Sequence, residues 1–247
     1  MRYILLTCCK NGTIGIIIRE ARHWPLELEK FVYEQRQVTL RPKSLNDYVQ
    51  QIHEQSWPHL NNEGASVLCL LNGLIGLPAE EVIQITRFPD LASWHRYRTR
   101  VNLPGSPLVV KEEVRLLRPI ASRPKVQMQP EDKKGVYGYQ RAFIRPTDLA
   151  EFVRCSEDGI WPRIEAQGAR VLGLWATLAE TDPLEVVLMT GYNGPGHWEE
   201  TRDNRPIPEN FDATLWERNM ELRAIRSRIT IKSVVCLMRA IEVAPAD

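Results

Sequence analysis

Residues 41–65, RPKSLNDYVQQIHEQSWPHLNNEGA, are echoed by RPTDLAEFVRCSEDGIWPRIEAQGA at 145–169. A single offset of 104, with no gap, carries Arg41-Pro42 onto Arg145-Pro146, Trp57-Pro58 onto Trp161-Pro162 and Gly64-Ala65 onto Gly168-Ala169. From Tyr33 to Arg98 the same offset matches 18 of 66 positions, where ordinary residue frequencies would give about 4. The chain therefore reads as a tandem duplication of one fold unit. A period this long lies well beyond the roughly 20–50 residues of a solenoid repeat, so each copy is a domain.

The first copy gives the order of elements. Phe31 to Leu40 is an extended run, and Arg41-Pro42 ends it because proline disfavours helix at the residue before it. Ser44 suits an N-cap, and Leu45, Tyr48, Val49, Ile52 and Leu60 then form a helical apolar stripe that Pro58 bends and Gly64 closes. Val67–Leu71 and Val82–Phe88 are β-rich runs joined through Asn72-Gly73 and Gly76-Leu77-Pro78. A short helix from Asp90 to about Arg100 and a strand Val114–Ile120 complete βαββαβ over residues 31–122.

Residues 135–247 repeat this unit. Their last strand, Lys232–Ile241, matches Lys111–Ile120 at an offset of 121, so 121 − 104 = 17 residues are added before it. Those residues predict an inserted helix near 209–231, with an apolar stripe of Phe211, Leu215, Leu222, Ile225 and Ile229. Arg218, Arg223, Arg226 and Arg228 on the same segment read as a solvated face. Residues 123–134, rich in proline, glutamine and charge, form the linker. Residues 1–30 lie outside the repeat, and Tyr3–Thr7, Lys10-Asn11-Gly12 and Thr13–Ile18 predict a hairpin there.

A βαββαβ unit makes a four-stranded antiparallel sheet with both helices on one face. The bare face of each sheet needs a cover, and the duplication supplies it. The predicted fold is α+β: two tandem ferredoxin-like units forming a pseudo-dimeric barrel, with a cavity between the sheets.

Composition narrows the function. A net charge of +1 gives no long-range field for nucleic acid or an anionic membrane surface. Five cysteines without zinc spacing read as reduced thiols in a cytoplasmic protein, and nothing in the first residues has the length of an export signal or a membrane insertion. His23, His53, His59, His95 and His197 show no metal-ligand spacing, and Gly191-Tyr192-Asn193-Gly194-Pro195-Gly196 lacks the Lys-Ser/Thr of a phosphate loop. Neither a metal nor a cofactor is expected, and the chain's ability to form a homo-oligomer stays open.

Val32-Tyr33-Glu34 with Arg36, Leu40-Arg41-Pro42 and Arg115-Leu116-Leu117-Arg118-Pro119 resemble the NIPSNAP family of the dimeric α/β barrel superfamily, over about residues 31–122 and 135–243. The resemblance implies the ferredoxin-like barrel. It implies no defined activity, since the superfamily spans cofactor-free monooxygenases, haem-degrading enzymes, isomerases and proteins without known chemistry. Where similar members carry a histidine and a tryptophan in the third strand, this chain has Gln84 and Thr86, then Leu188 and Thr190. Histidine-dependent chemistry is therefore not expected.

Strand alternation places Tyr33, Gln35 and Gln37 on one face of the first strand and Glu34, Arg36 and Val38 on the other; Gly138, Gln140, Ala142 and Ile144 share that second face in the other copy. The resemblance implies that the second face lines the barrel. Glu34 and Arg36, with Gln84, Thr86, Gln140 and Thr190, are then the expected ligand-binding residues in the inter-sheet cavity, anchoring a small apolar or aromatic molecule. The alternative is a cofactor-independent monooxygenase or isomerase using the same cavity, with Arg36 or Glu34 stabilising an enolate-like intermediate.

Overall fold

The computed structural model describes residues 5–8, 14–17, 30–100, 106–125, 129–179, 181–202, 204–209 and 211–241. Near the N-terminus β1 (Leu5–Cys8) pairs antiparallel with β2 (Ile14–Ile17). The Lys10-Asn11-Gly12 turn predicted between them lies outside the described residues. The first unit runs β3 (Val32–Leu40), α1 (Leu45–Gln51), a π-turn (Ile52–Ser56), α2 (Trp57–Asn62), β4 (Ser66–Ile75), β5 (Glu81–Phe88), α3 (Leu91–Arg100) and β6 (Val109–Pro119). The second runs β7 (Val136–Ile144), α4 (Leu149–Cys155), a π-turn (Ser156–Ile160), α5 (Trp161–Ala166), β8 (Arg170–Thr177), β9 (Leu184–Tyr192), α6 (Pro195–Glu200), α7 (Ala213–Ile229) and β10 (Thr230–Ala240). Among the described residues no helix is long and apolar enough to cross a membrane.

Each unit folds as a four-stranded antiparallel sheet, ordered β4-β5-β3-β6 and β8-β9-β7-β10. The edges then pair, β6 with β8 and β10 with β4, so that eight strands close into one barrel. Register repeats with sequence: Glu34 faces Thr86 where Gly138 faces Thr190, and Gln37 faces Glu113 where Arg141 faces Val234.

Both π-turns have the same origin. Proline at 58 or 162 carries no N–H, and its ring would strike the carbonyl four residues back. Widening the turn relieves this, and the N–H of Trp57 reaches the carbonyl of Ile52 while that of Trp161 reaches Ser156.

The inter-sheet space differs from the sequence expectation. The face that points into the barrel carries Tyr33, Gln35, Tyr137 and Tyr139, and it packs with Ile83, Ile85, Leu117, Trp175 and Met189 into one core shared by both units. Gln35 Nε2 donates to the Tyr139 hydroxyl at 2.9 Å. Those two positions are related by the offset itself, so their bond lies at the pseudo-twofold axis. The Trp175 ring meets Tyr33 edge-on, with centroids 5.7 Å apart. An eight-stranded barrel has an interior that side chains just fill. The expected central cavity is therefore a packed core.

Glu34, Arg36, Gln84 and Thr86 in the first unit, and Gln140 and Thr190 in the second, lie on the opposite face, under the helices. The cause is desolvation. An ion pair inside the closed barrel would lose water without gaining enough partners, whereas the helix side supplies donors from Trp57 and Trp94.

Candidate functional site

In the first unit the expected residues are brought together in two hydrogen-bonded groups. Glu34 Oε1 accepts from Arg36 Nη2 at 2.9 Å and Nε at 3.1 Å, and Oε2 accepts from Trp94 Nε1 at 2.7 Å. Arg36 Nη1 continues to Glu112 at 2.7 Å. Trp57 Nε1 donates to Gln84 Oε1 at 3.3 Å, and Gln84 Nε2 to Thr86 Oγ1 at 2.8 Å. Burial alone would pull the Arg36 guanidinium below its ordinary value, but the Glu34 and Glu112 carboxylates hold it above. Burial pushes Tyr48, beside this network, up to about 12. Glu34, Gln84 and Thr86 under these helices are 1%, 7% and 1% exposed and are hydrogen-bonded by their own neighbours.

The second unit keeps the frame and loses the filling. At the offset of 104, Glu34 becomes Gly138, Arg36 becomes Gln140 and Gln84 becomes Leu188, while both tryptophans persist as Trp161 and Trp198. What opens is a cavity of about 350 Å³ between β7, β9 and β10 on one side and α5, α6 and α7 on the other. Gln140 and Thr190 line it, so these two of the six expected residues belong to a cavity, although one on the helix side of the sheet.

Four arginines reach its lining: Arg163, Arg202, Arg223 and Arg226. Arg226 is 8% exposed, donates to Gln140 Oε1 at 3.3 Å and lies 4.3 Å from the centre of the Phe152 ring. Arg163 is 4% exposed and donates to the Thr201 carbonyl at 2.7 Å and to Gln167 Oε1 at 3.0 Å. Among the described residues no carboxylate pairs with Arg163, Arg202 or Arg226. Burial pulls Arg226 down to about 10; burial and then the charge of Arg223 lower Arg163, and burial and then Arg202 lower Arg223. Asn219, on the buried side of α7, has zero exposure and, among the described residues, no partner for either atom of its amide. Arg163 Nε and Trp161 Nε1 are also buried without partners among the described residues.

Chemically the cavity is rich in donors and positive charge. Among the described residues its lining contains no carboxylate, imidazole or thiol, and no group of three or more His, Cys, Asp or Glu could hold a metal. Apolar surface comes from Ile160, Ile164, Leu188, Trp198 and Val235.

The sequence reading missed Arg226, which it assigned to solvent with its neighbours. The buried stripe of α7 is Trp216, Asn219, Leu222 and Arg226, rotated from the apolar stripe expected there. Two signals were present: an asparagine and an arginine in phase with Trp216 and Leu222, and a glycine where the first copy has Glu34.

The fold defines a class, a single-chain α+β barrel of two ferredoxin-like units. Structures similar to the chain include a provisionally named monooxygenase from Lactobacillus acidophilus NCFM, at 12% identity and a TM-score of 0.57 over 86% of this chain and 94% of that one. An anthrone oxidase-like protein follows at 8% and 0.57, over 86% and 92%. An uncharacterized NIPSNAP-like domain protein from Burkholderia xenovorans, at 21% identity and a TM-score of 0.35, covers 42% of this chain and 98% of its own. No family profile and no curated relative matches the chain. At these identities the likeness is one of fold.

Proposed function

We propose that the protein binds a small organic molecule in the cavity between the second sheet and its helices. The observation that carries this reading is Asn219, wholly buried in the cavity wall with neither its amide donor nor its acceptor partnered. A buried polar group without a partner costs about 1–3 kcal/mol, and a ligand bonded to it removes that penalty. The apolar wall of Ile164, Leu188 and Trp198 suits an apolar or aromatic body. Binding is favoured over oxygenation or isomerisation because both reactions need a group that takes a proton from the substrate. Among the described residues the lining offers no carboxylate, imidazole or thiol to do so, and burial raises its phenol, Tyr192, above the ordinary value.

Native mass spectrometry of the purified chain tests this. The wild type should retain a small molecule that is released on denaturation, and Thr190→Phe, which fills the cavity opposite Gly138, should lose it while still unfolding cooperatively. A wild type that carries nothing, or a variant that carries the same mass equally well, overturns the reading.

A further inference from the structure

We infer that the ligand is an organic carboxylate whose charged group takes, in the second unit, the place that the Glu34 side chain takes in the first. This inference rests on the binding reading above and adds the chemical class of the ligand.

The duplication supplies the template. In the first unit two indole N–H groups are satisfied from the sheet: Trp94 by Glu34 Oε2 at 2.7 Å and Trp57 by Gln84 Oε1 at 3.3 Å. In the second unit both acceptors are gone, replaced by Gly138 and Leu188, while both tryptophans remain. Trp161 Nε1 is buried without a partner, and Trp198 lines the cavity. The register Gly138 to Thr190 repeats that of Glu34 to Thr86, so the lost carboxylate maps to a defined place in the cavity.

Charge points the same way. Arg36, which holds the carboxylate in the first unit, is Gln140 in the second, and arginines from the helices replace it. Arg163 and Arg226 are both more than nine-tenths buried, and no carboxylate among the described residues answers either. Buried cations are stabilised by a paired anion and are otherwise strongly unfavourable. Burial and the neighbouring guanidiniums lower the affinity of Arg163 and Arg223 for their protons, and an arriving anion offsets both effects. A carboxylate is planar and suits the guanidinium fork. The cavity, about 350 Å³, has room beyond it for a ring system against Leu188 and Trp198, and Asn219 presents the donor and acceptor that a hydroxyl on that body would use.

Gly138→Glu and Gly138→Gln test the charge whatever the identity of the ligand. Both place a Cβ 3.3 Å from the Tyr192 ring, so the strain is common and their difference reads the negative charge. At pH 7 the Glu variant should unfold higher than the Gln variant by about 2–4 °C or more. In parallel, 1-naphthoate and the neutral 1-naphthamide are titrated onto the full-length wild type. Naphthoate should bind at least about tenfold more tightly, a difference of about 1.4 kcal/mol, and Gly138→Glu should abolish its binding. Equal unfolding midpoints, or amide binding equal to acid binding, overturn the carboxylate assignment; a small molecule that still co-purifies and is still lost in Thr190→Phe would then leave the binding reading standing. A wild type that retains no molecule overturns the binding reading, and this inference with it.

Discussion

Glu34 and Arg36 are a structural pair, and their energetics follow from which face of β3 they occupy. Their side chains are 2% and 13% exposed, and the pair is completed by Trp94. Arg36→Met would leave the Glu34 carboxylate buried with only the indole donor, and breaking a buried pair on one side costs about 3–5 kcal/mol. The link from Arg36 to the half-exposed Glu112 adds little to this. Urea unfolding should show that loss for Arg36→Met and recovery of most of it in Glu34→Leu combined with Arg36→Met. A single variant that loses under about 1 kcal/mol would place the pair in effective contact with solvent. Alternation in the sequence put Glu34 and Arg36 on one face correctly, but each face of β3 mixes polar and apolar residues, so that strand alone does not say which turns inward. The answer lies in its neighbour: the register sets Gln35 beside Ile85 and Glu34 beside Thr86. The face of Tyr33, Ile83 and Ile85 is the drier one, and a closed barrel takes it.

Helix α7 shows what the period of a segment reveals and what it hides. Its existence follows from the 17 added residues and their spacing; its phase does not, because a reading that sends arginine to water rotates the helix away from Arg226. The position of α7 depends on Gly159 in the preceding π-turn, where a Cβ would come within 2.8–2.9 Å of Leu222 side-chain atoms and 3.2 Å of the Arg218 carbonyl. The corresponding residue in the first unit is Gln55, exposed, in a copy that lacks the 17 added residues. Gly159→Ala should therefore destabilise by about 1–3 kcal/mol through overpacking, while Gln55→Ala should stay within about 0.5 kcal/mol of the parent. Because α7 carries Asn219, Arg223 and Arg226, Gly159→Ala should also retain less of any bound molecule in the native mass spectrum. If both alanine variants unfold alike, the close approach of helix to π-turn is not what holds α7 in place. The paired π-turns were only partly legible: Pro58 and Pro162 mark a bend, but the sequence does not say that the chain absorbs it by widening one turn while remaining helical.

For the whole molecule, the offset of 104 reveals two units and their need for each other, whereas the closure of the barrel depends on edges that a sequence does not display. Residues 31–125 expressed alone would expose the inward face of Tyr33, Leu71, Ile83, Ile85 and Leu117 and leave β4 and β6 without the partners β10 and β8. Both are strong reasons to associate. A second copy would rebuild an eight-stranded barrel, but not the same interior. At the offset, Leu71 stands where Trp175 does and Gln35 where Tyr139 does, so a dimer of first units sets leucine in place of the fully buried Trp175 and glutamine against glutamine at the axis. The missing indole leaves a void in a core whose other members are sized for it, and large-to-small changes of this kind cost several kcal/mol, about 3–5 for Trp to Ala. The fragment should therefore sediment as a concentration-dependent dimer that unfolds well below the parent chain, or aggregate. The indole of Trp175 lies over Gly173, where a Cβ would come within 2.2 Å of it, and the first unit has Cys69 at that place. Leu71→Trp combined with Cys69→Gly should therefore strengthen the fragment's dimer if that void is the cause. A fragment that stays monomeric at micromolar concentration and unfolds cooperatively would mean that the shared core is not needed to hold the first unit together.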